Sequence, residues 1–230
     1  MTSRVAAVVP AAGRGERLGG GTPKALRQLG GRPMLVRAVE TLTASPLVSQ
    51  IVVAAPPTLV EVVGQILGPR VKVVPGGAER VDSVRTALSA LDDDIAVVLV
   101  HDAARPLTPP KLVDAVASAV LDGHPAVIPV LPLSDTVKQV DAEGRVVRTP
   151  PRDTLRAVQT PQGFRRDVLR AAYANQALSV TDDAGLVEAL GVPVTTIPGA
   201  EEAFKVTRPA DLVLAEALLA RAVPGEGRSR

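Results

Sequence analysis

Five short apolar runs, Val5–Val9, Ile51–Ala55, Val71–Val74, Ile95–Val100 and Ala126–Val130, alternate with helical patterns at Met34–Thr43, Leu59–Leu67, Val81–Leu91 and Lys111–Leu121. Runs so short and so uniformly apolar suit strands buried on both faces. Strands that alternate with helices imply an α/β fold with a doubly wound, mostly parallel sheet. Right-handed crossovers then gather the connecting loops at one edge of the sheet. The order changes after Leu133. Thr136–Val140 and Arg145–Thr149, joined by Asp141-Ala142-Glu143-Gly144, have the alternating polarity of a β-hairpin. Helical patterns at Arg166–Ala177 and Asp182–Leu190, a strand at Val192–Ile197 and a helix at Pro209–Ala222 follow. One domain over 1–223 is expected, with the hairpin region 134–152 projecting and 224–230 a disordered tail. The hairpin reads either as a solvated excursion or as an arm that packs on a second copy, since a lone hairpin is barely stable in water.

The segment behind the first run, PAAGRGERLGGGTPK (Pro10 to Lys24), is a glycine-rich loop with Arg14, Arg17 and Lys24. Glycine lets backbone N–H groups approach a ligand, and fixed cations favour an oligophosphate. Strand, glycine-rich loop and helix in this order hold nucleotides at the carboxyl ends of α/β strands. A Walker A loop needs Lys directly after Gly and then Ser or Thr, whereas Lys24 lies between Pro23 and Ala25. A dinucleotide fingerprint needs its third glycine earlier than Gly19 and an acid after the second strand, where Ala54-Ala55-Pro56-Pro57 stands. An NAD(P)-dependent oxidoreductase is therefore the weaker reading. Gly13-Arg14-Gly15-Glu16-Arg17 with Pro23-Lys24 matches a nucleotidyltransferase loop, in which basic side chains face the triphosphate.

Composition narrows the function further. Aromatic residues make up 1% of the chain, which removes the stacking platforms of single-strand nucleic-acid binders. A net charge of +2 gives no global field for DNA. The chain has no cysteine, which excludes thiolate nucleophiles and Cys-ligated zinc, and its 2 histidines argue against a multi-histidine site. No run reaches membrane-spanning length, and the first strand begins within a few residues of the N-terminus. A cytoplasmic protein that binds neither membrane nor nucleic acid is the expectation.

Further polar constellations sit at strand ends. The fourth run leads into His101-Asp102-Ala103-Ala104-Arg105-Pro106. There Asp102 either caps the turn or faces a ligand or metal, and Arg105 is spaced to clamp a phosphate. His101 reads as packed or hydrogen-bonded rather than catalytic. GGAERVDSV (Gly76 to Val84) is either a common strand-to-helix turn or a surface for a base edge, with the Ser83 hydroxyl one turn in. Gln159-Thr160-Pro161-Gln162-Gly163-Phe164 and Lys205-Val206-Thr207-Arg208-Pro209 complete the set. Thr181-Asp182-Asp183 is most simply a helix N-cap.

With PAAGRGERLGGGTPK, GGAERVDSV, VHDAARP, QTPQGF and KVTRP in order, the chain resembles the 2-C-methyl-D-erythritol 4-phosphate cytidylyltransferases over about Val5 to Ala222. The resemblance implies a Rossmann-like, nucleotide-diphospho-sugar-transferase-like domain with a β-arm, assembled as a homodimer. Its substrates would be CTP and a polyol phosphate. A cytidylyltransferase for another polyol phosphate, such as ribitol 5-phosphate, stays open. By this similarity Ala11, Ala12, Gly13, Lys24, Gly77, Ala78, Ser83 and Ala103 would bind CTP. Asp102, Arg105, Thr160 and Lys205 would face the sugar phosphate, with Thr136 and Arg152 reaching in from the neighbouring subunit. Arg17 and Lys24 would stabilise the α-phosphate, and Mg²⁺ would be held mainly by the CTP phosphates, with Asp102 beside it. Ala78 stands where relatives often carry a polar residue, so contact there would come from the backbone.

Overall fold

The protein is described by a computed structural model over residues 4–13, 23–174 and 182–222. Arg14 to Thr22, Thr181, the end of the helix expected to reach Ala177, and the tail therefore lie outside the described residues.

The strands are β1 (Arg4–Pro10), β2 (Gln28–Leu29), β3 (Arg32–Pro33), β4 (Val48–Ala55), β5 (Lys72–Pro75), β6 (Ile95–Val100), β7 (Ala126–Pro132), β8 (Gln139–Val140), β9 (Val146–Arg148), β10 (Arg156–Val158), β11 (Gln162–Arg165) and β12 (Thr195–Pro198). The helices are α1 (Met34–Thr43), α2 (Val60–Leu67), α3 (Arg80–Ser89), α4 (Pro110–Leu121), α5 (Arg166–Ala174), α6 (Asp183–Glu188) and α7 (Pro209–Ala222). The main sheet runs β5-β4-β1-β6-β11-β7, and β7 also pairs with β10 and β12. β5, β4, β1 and β6 are parallel, as are β7 and β12, while β10 and β11 run antiparallel.

Alternation along β1 explains the double winding. Val5, Ala7 and Val9 pack on one face with Leu35 and Val39 of α1, Val63 of α2 and Val113 and Val116 of α4. Ala6 and Val8 pack on the other with Val84 and Ala87 of α3, Leu169 and Ala172 of α5 and Leu186 of α6. Both sets are apolar because the strand is covered twice. A smaller cluster of Leu29, Met34, Val206 and Ala215 fastens α7 to the β2–β3 ribbon.

Two sequence expectations change. QTPQGF, read as a polar motif, supplies β11, an antiparallel strand inserted between β6 and β7. It is four residues long and follows a proline, too short to show a period. Its Gly163 admits α4: a Cβ there would stand 2.6 Å from Val116 Cγ1 and 3.0 Å from Val120 Cγ2. Gly163→Ala is expected to cost about 1–3 kcal/mol through overpacking, seen as a lower urea midpoint with an unchanged slope. The arm's ladder is also shorter than expected, since Gln139–Val140 and Val146–Arg148 alone pair. Its turn is well determined, with Asp141 Oδ1 accepting from the N–H of Glu143 at 3.1 Å and of Arg145 at 2.8 Å. What the hairpin lacks is a face to pack on: Val140, Val146 and Val147 are 51%, 59% and 60% exposed.

Candidate active site

Three strand ends converge at the carboxyl edge of the sheet. Each extends its ladder by one bond before turning away: Ala11 N–H donates to Ala54 O at 2.8 Å, Gly76 N–H to Ala55 O at 2.7 Å and His101 N–H to Val8 O at 2.9 Å. Between them opens a cavity of about 240 Å³. Ala11, Ala12, Gly13 and Lys24 line one side, Gly77, Ala78 and Ser83 the second, and Asp102, Ala103 and Lys205 the third. These positions, scattered along the sequence, are thus brought together. The walls touch at Gly76, where a Cβ would meet the Ala12 Cβ at 2.5 Å.

Ser83 shapes its wall from within. It is 2% exposed, and its hydroxyl accepts from Gly77 N–H at 3.1 Å and donates to Glu79 O at 3.2 Å. That hydroxyl folds the turn presenting Gly77 and Ala78, so a base edge there meets mainly backbone. Glu79 then starts α3 through a capping box with Asp82.

The third wall holds the site's strongest electrostatics. Asp102 Oδ2 pairs with Lys205 Nζ at 2.8 Å, and Asp102 Oδ1 lies 3.3 Å from Arg80 Nε. Burial works to raise the Asp102 pKa, but the charges of Arg80, Lys205 and Arg105 outweigh it and hold the carboxyl well below the usual carboxylate range. Lys205 reaches this position because Val206 N–H donates to Ala104 O at 2.8 Å, docking the KVTRP segment alongside VHDAARP.

Behind Asp102 stands a buried support. Asp102 N–H donates to Thr160 Oγ1 at 3.0 Å, and Thr160 Oγ1 contacts His101 Nδ1 at 3.1 Å. The Thr160 hydroxyl thus ties the backbone of Asp102 to the buried His101 ring. His101 is fully buried, and burial lowers its pKa to about 4, so it is neutral at physiological pH and does not reach the cavity. The packed reading of His101 holds.

Thr160 and Arg105, expected to face the sugar phosphate, do not line the cavity. Arg105 is 8% exposed and turns inward, its Nη1 donating to Ala203 O at 2.6 Å and its Nη2 to Val158 O at 3.1 Å. It ties the loop after β6 to β10 and to the turn at Glu201–Ala203. Thr136 and Arg152 are exposed on the arm and likewise do not line the cavity of their own protomer; Arg152 Nη1 donates to Ser134 O at 2.6 Å. Arg17 falls outside the described residues.

Sequence reasoning missed Arg80, the third cation on the cavity wall beside Lys24 and Lys205. The local sequence offered only a faint signal: Arg80 opens α3, where the helix dipole disfavours positive charge, which favours an anion nearby without saying which. That anion is Asp183. Only half of the expected cap at Asp182-Asp183 is a cap: Asp182 Oδ1 accepts from Gly185 N–H at 3.1 Å, whereas Asp183 pairs with Arg80. QTPQGF also acts as a clamp. Gln159 holds both backbone groups of Ala200, and Gln162 joins Asp182 to the N–H of Ala184.

The donor set does not make a protein-held metal site. Among the described residues no group of three or more His, Asp or Glu side chains is spaced to hold a cation. Asp102, expected beside Mg²⁺, has both oxygens directed at cations, so a metal ion there would displace two ion pairs.

Comparison with known proteins agrees with this arrangement. The sequence model of the 2-C-methyl-D-erythritol 4-phosphate cytidylyltransferase family matches residues 5–221. A protein of that name from Frankia casuarinae is 82% identical over 223 residues, covering 97% of this chain and 84% of its own. The crystal structure of the Thermus thermophilus protein of that name superposes with a TM-score of 0.77 at 40% identity, covering 94% of this chain and 99% of its own. That of 4-diphosphocytidyl-2C-methyl-D-erythritol synthase from Anaerococcus prevotii gives 0.83 at 29% identity, covering 95% and 99%. Strand ends, cation-lined cavity and whole-chain similarity agree, and the chain belongs to the 2-C-methyl-D-erythritol 4-phosphate cytidylyltransferase family.

Proposed function

We propose that the protein transfers the cytidylyl group of CTP to 2-C-methyl-D-erythritol 4-phosphate, giving 4-diphosphocytidyl-2-C-methyl-D-erythritol and pyrophosphate. The observation that carries the reading is Lys24, Arg80 and Lys205 around one cavity, at the strand ends where the family's motifs converge. An oxygen of the acceptor phosphate attacks the α-phosphorus, and the bond to the bridging oxygen breaks as pyrophosphate leaves. The acceptor is already anionic near neutral pH and needs no general base, which suits a site whose histidine is neutral and sealed away. What the site supplies is alignment of two anions and fixed positive charge where negative charge builds up. The Ala11–Gly13 turn, Lys24 and Arg17 take the triphosphate; Gly77 and Ala78 take the cytosine edge, Ala103 the ribose, and Lys205 and Asp102 the acceptor. A Mg²⁺ ion, held by the triphosphate rather than by the described side chains, would supply further positive charge.

The acceptor pocket is completed across a homodimer, with Thr136 and Arg152 of one arm entering the neighbour's site. Supporting this are the arm's exposed valines and the absence of both side chains from the cavity of their own protomer. Arg152→Ala is expected mainly to raise the KM for the sugar phosphate. At acceptor concentrations well below the raised KM, mixing Arg152→Ala with Lys24→Ala subunits in equal amounts should restore about a quarter of wild-type activity, because each mixed two-fold dimer keeps one intact site. No recovery would count against the shared arrangement. The enzyme works in the cytoplasm on these soluble substrates.

Pyrophosphate release with CTP settles the reaction. It should require methylerythritol phosphate and stay at background with ribitol phosphate or no acceptor. Turnover with ribitol phosphate alone would move the assignment to another polyol phosphate.

A further inference from the structure

We infer that Asp183, assisted by Tyr173, is a positioning residue that fixes the guanidinium of Arg80 against Asp102 and thereby sets the acceptor side of the cavity from outside it. The inference rests on the proposed reaction and adds to it a determinant that contacts neither substrate.

The geometry is a planar cation held between two carboxylates. Arg80 Nη1 and Nη2 donate to the two oxygens of Asp183, at 3.0 and 2.6 Å, in a parallel fork. Its remaining edge, Nε, donates to Asp102 Oδ1 at 3.3 Å. The fork fixes the plane of the guanidinium, and that plane decides which edge Asp102 receives. Asp183 is fully buried, and the Tyr173 hydroxyl donates to its Oδ1. The two carboxylates therefore differ in access: Asp183, the first residue of α6, is sealed from solvent, while Asp102 lines the cavity. Among the described residues Arg80, with its side chain 31% exposed, is the group that bridges both.

Without the fork, Arg80 would keep its single weak bond to Asp102 and could turn to take that carboxylate with two N–H groups. Asp102 would then be drawn from Lys205, and Lys205 would lose the partner that holds it at the cavity wall. A structural role predicts lower stability with kinetics intact. A positioning role predicts an effect on the acceptor that disappears once Arg80 is gone.

The test is steady-state kinetics, with thermal melts, on Asp183→Asn, Tyr173→Phe, Arg80→Met and the double variant Arg80→Met/Asp183→Asn. Asp183→Asn should raise the KM for methylerythritol phosphate about tenfold, leaving the KM for CTP within about twofold, and Tyr173→Phe should show the same split about threefold. In the Arg80→Met background, adding Asp183→Asn should change the acceptor KM by less than about twofold. The inference is overturned if folded Asp183→Asn or Tyr173→Phe keeps the wild-type acceptor KM, or if Asp183→Asn has its full effect without Arg80. Should Asp183→Asn fail to fold, Tyr173→Phe decides alone. A wild-type enzyme that releases no pyrophosphate with this acceptor would instead refute the proposed reaction.

Discussion

Lys24→Ala lowers kcat for pyrophosphate release by about 10²–10³, or about 3–4 kcal/mol of transition-state stabilisation, while the KM for CTP moves far less. Lys24 opens a short 3-10 turn directly after the glycine-rich loop and lines the cavity with the Ala11–Gly13 backbone. A cation in that place meets the triphosphate in both ground and transition states, but its pull grows as the α-phosphorus becomes crowded and charge moves onto the leaving pyrophosphate. Truncation to alanine removes the charge without touching the core, since Lys24 is partly exposed and its neighbour Ala25 supplies the buried contact. Rapid-quench measurement of a single turnover isolates that step. An unchanged rate would remove Lys24 from the chemistry.

Arg105→Met destabilises the protein by about 2–4 kcal/mol, because two backbone carbonyls lose the charged donor that holds them. The stranded groups are the carbonyls of Ala203 and Val158 and, more distantly, Asp102. For a domain of this size such a loss lowers Tm by on the order of 10 °C. The outcome separates two roles for the same residue. A phosphate clamp predicts an unchanged melting temperature and a raised KM for the sugar phosphate. A tie between the β6 loop, β10 and the Glu201–Ala203 turn predicts the thermal shift.

The difference between those roles marks where sequence stops being informative. The alternating runs predict the parallel strands because the central ones are buried on both faces, as are all but the end residues of β1 and all but Ala96 of β6. The helix from Pro209 to Ala222 was equally legible, with a proline to start it. β11 was not, because a four-residue inserted strand carries no period and its one glutamine, Gln162, looks like a site residue. At the site, the motifs converge on one cavity, and backbone-dominated positions such as Ala11, Gly77 and Ala103 line its wall. Long side chains were less predictable. Arg105 and Arg80 both stand at strand-to-helix connections, yet one turns into the protein and the other bridges core to cavity. What sends them apart is the position of acceptors distant in sequence, Ala203 and Val158 for the first and Asp183 for the second. Local sequence does not carry that information.

The account stands or falls on where the nucleotide's phosphates lie. A crystal structure with CTP and an unreactive acceptor analogue should show the triphosphate against Ala11–Gly13 with Lys24 on it, and the cytosine edge at Gly77 and Ala78. A triphosphate bound away from that turn, with Lys24 unengaged, would contradict it.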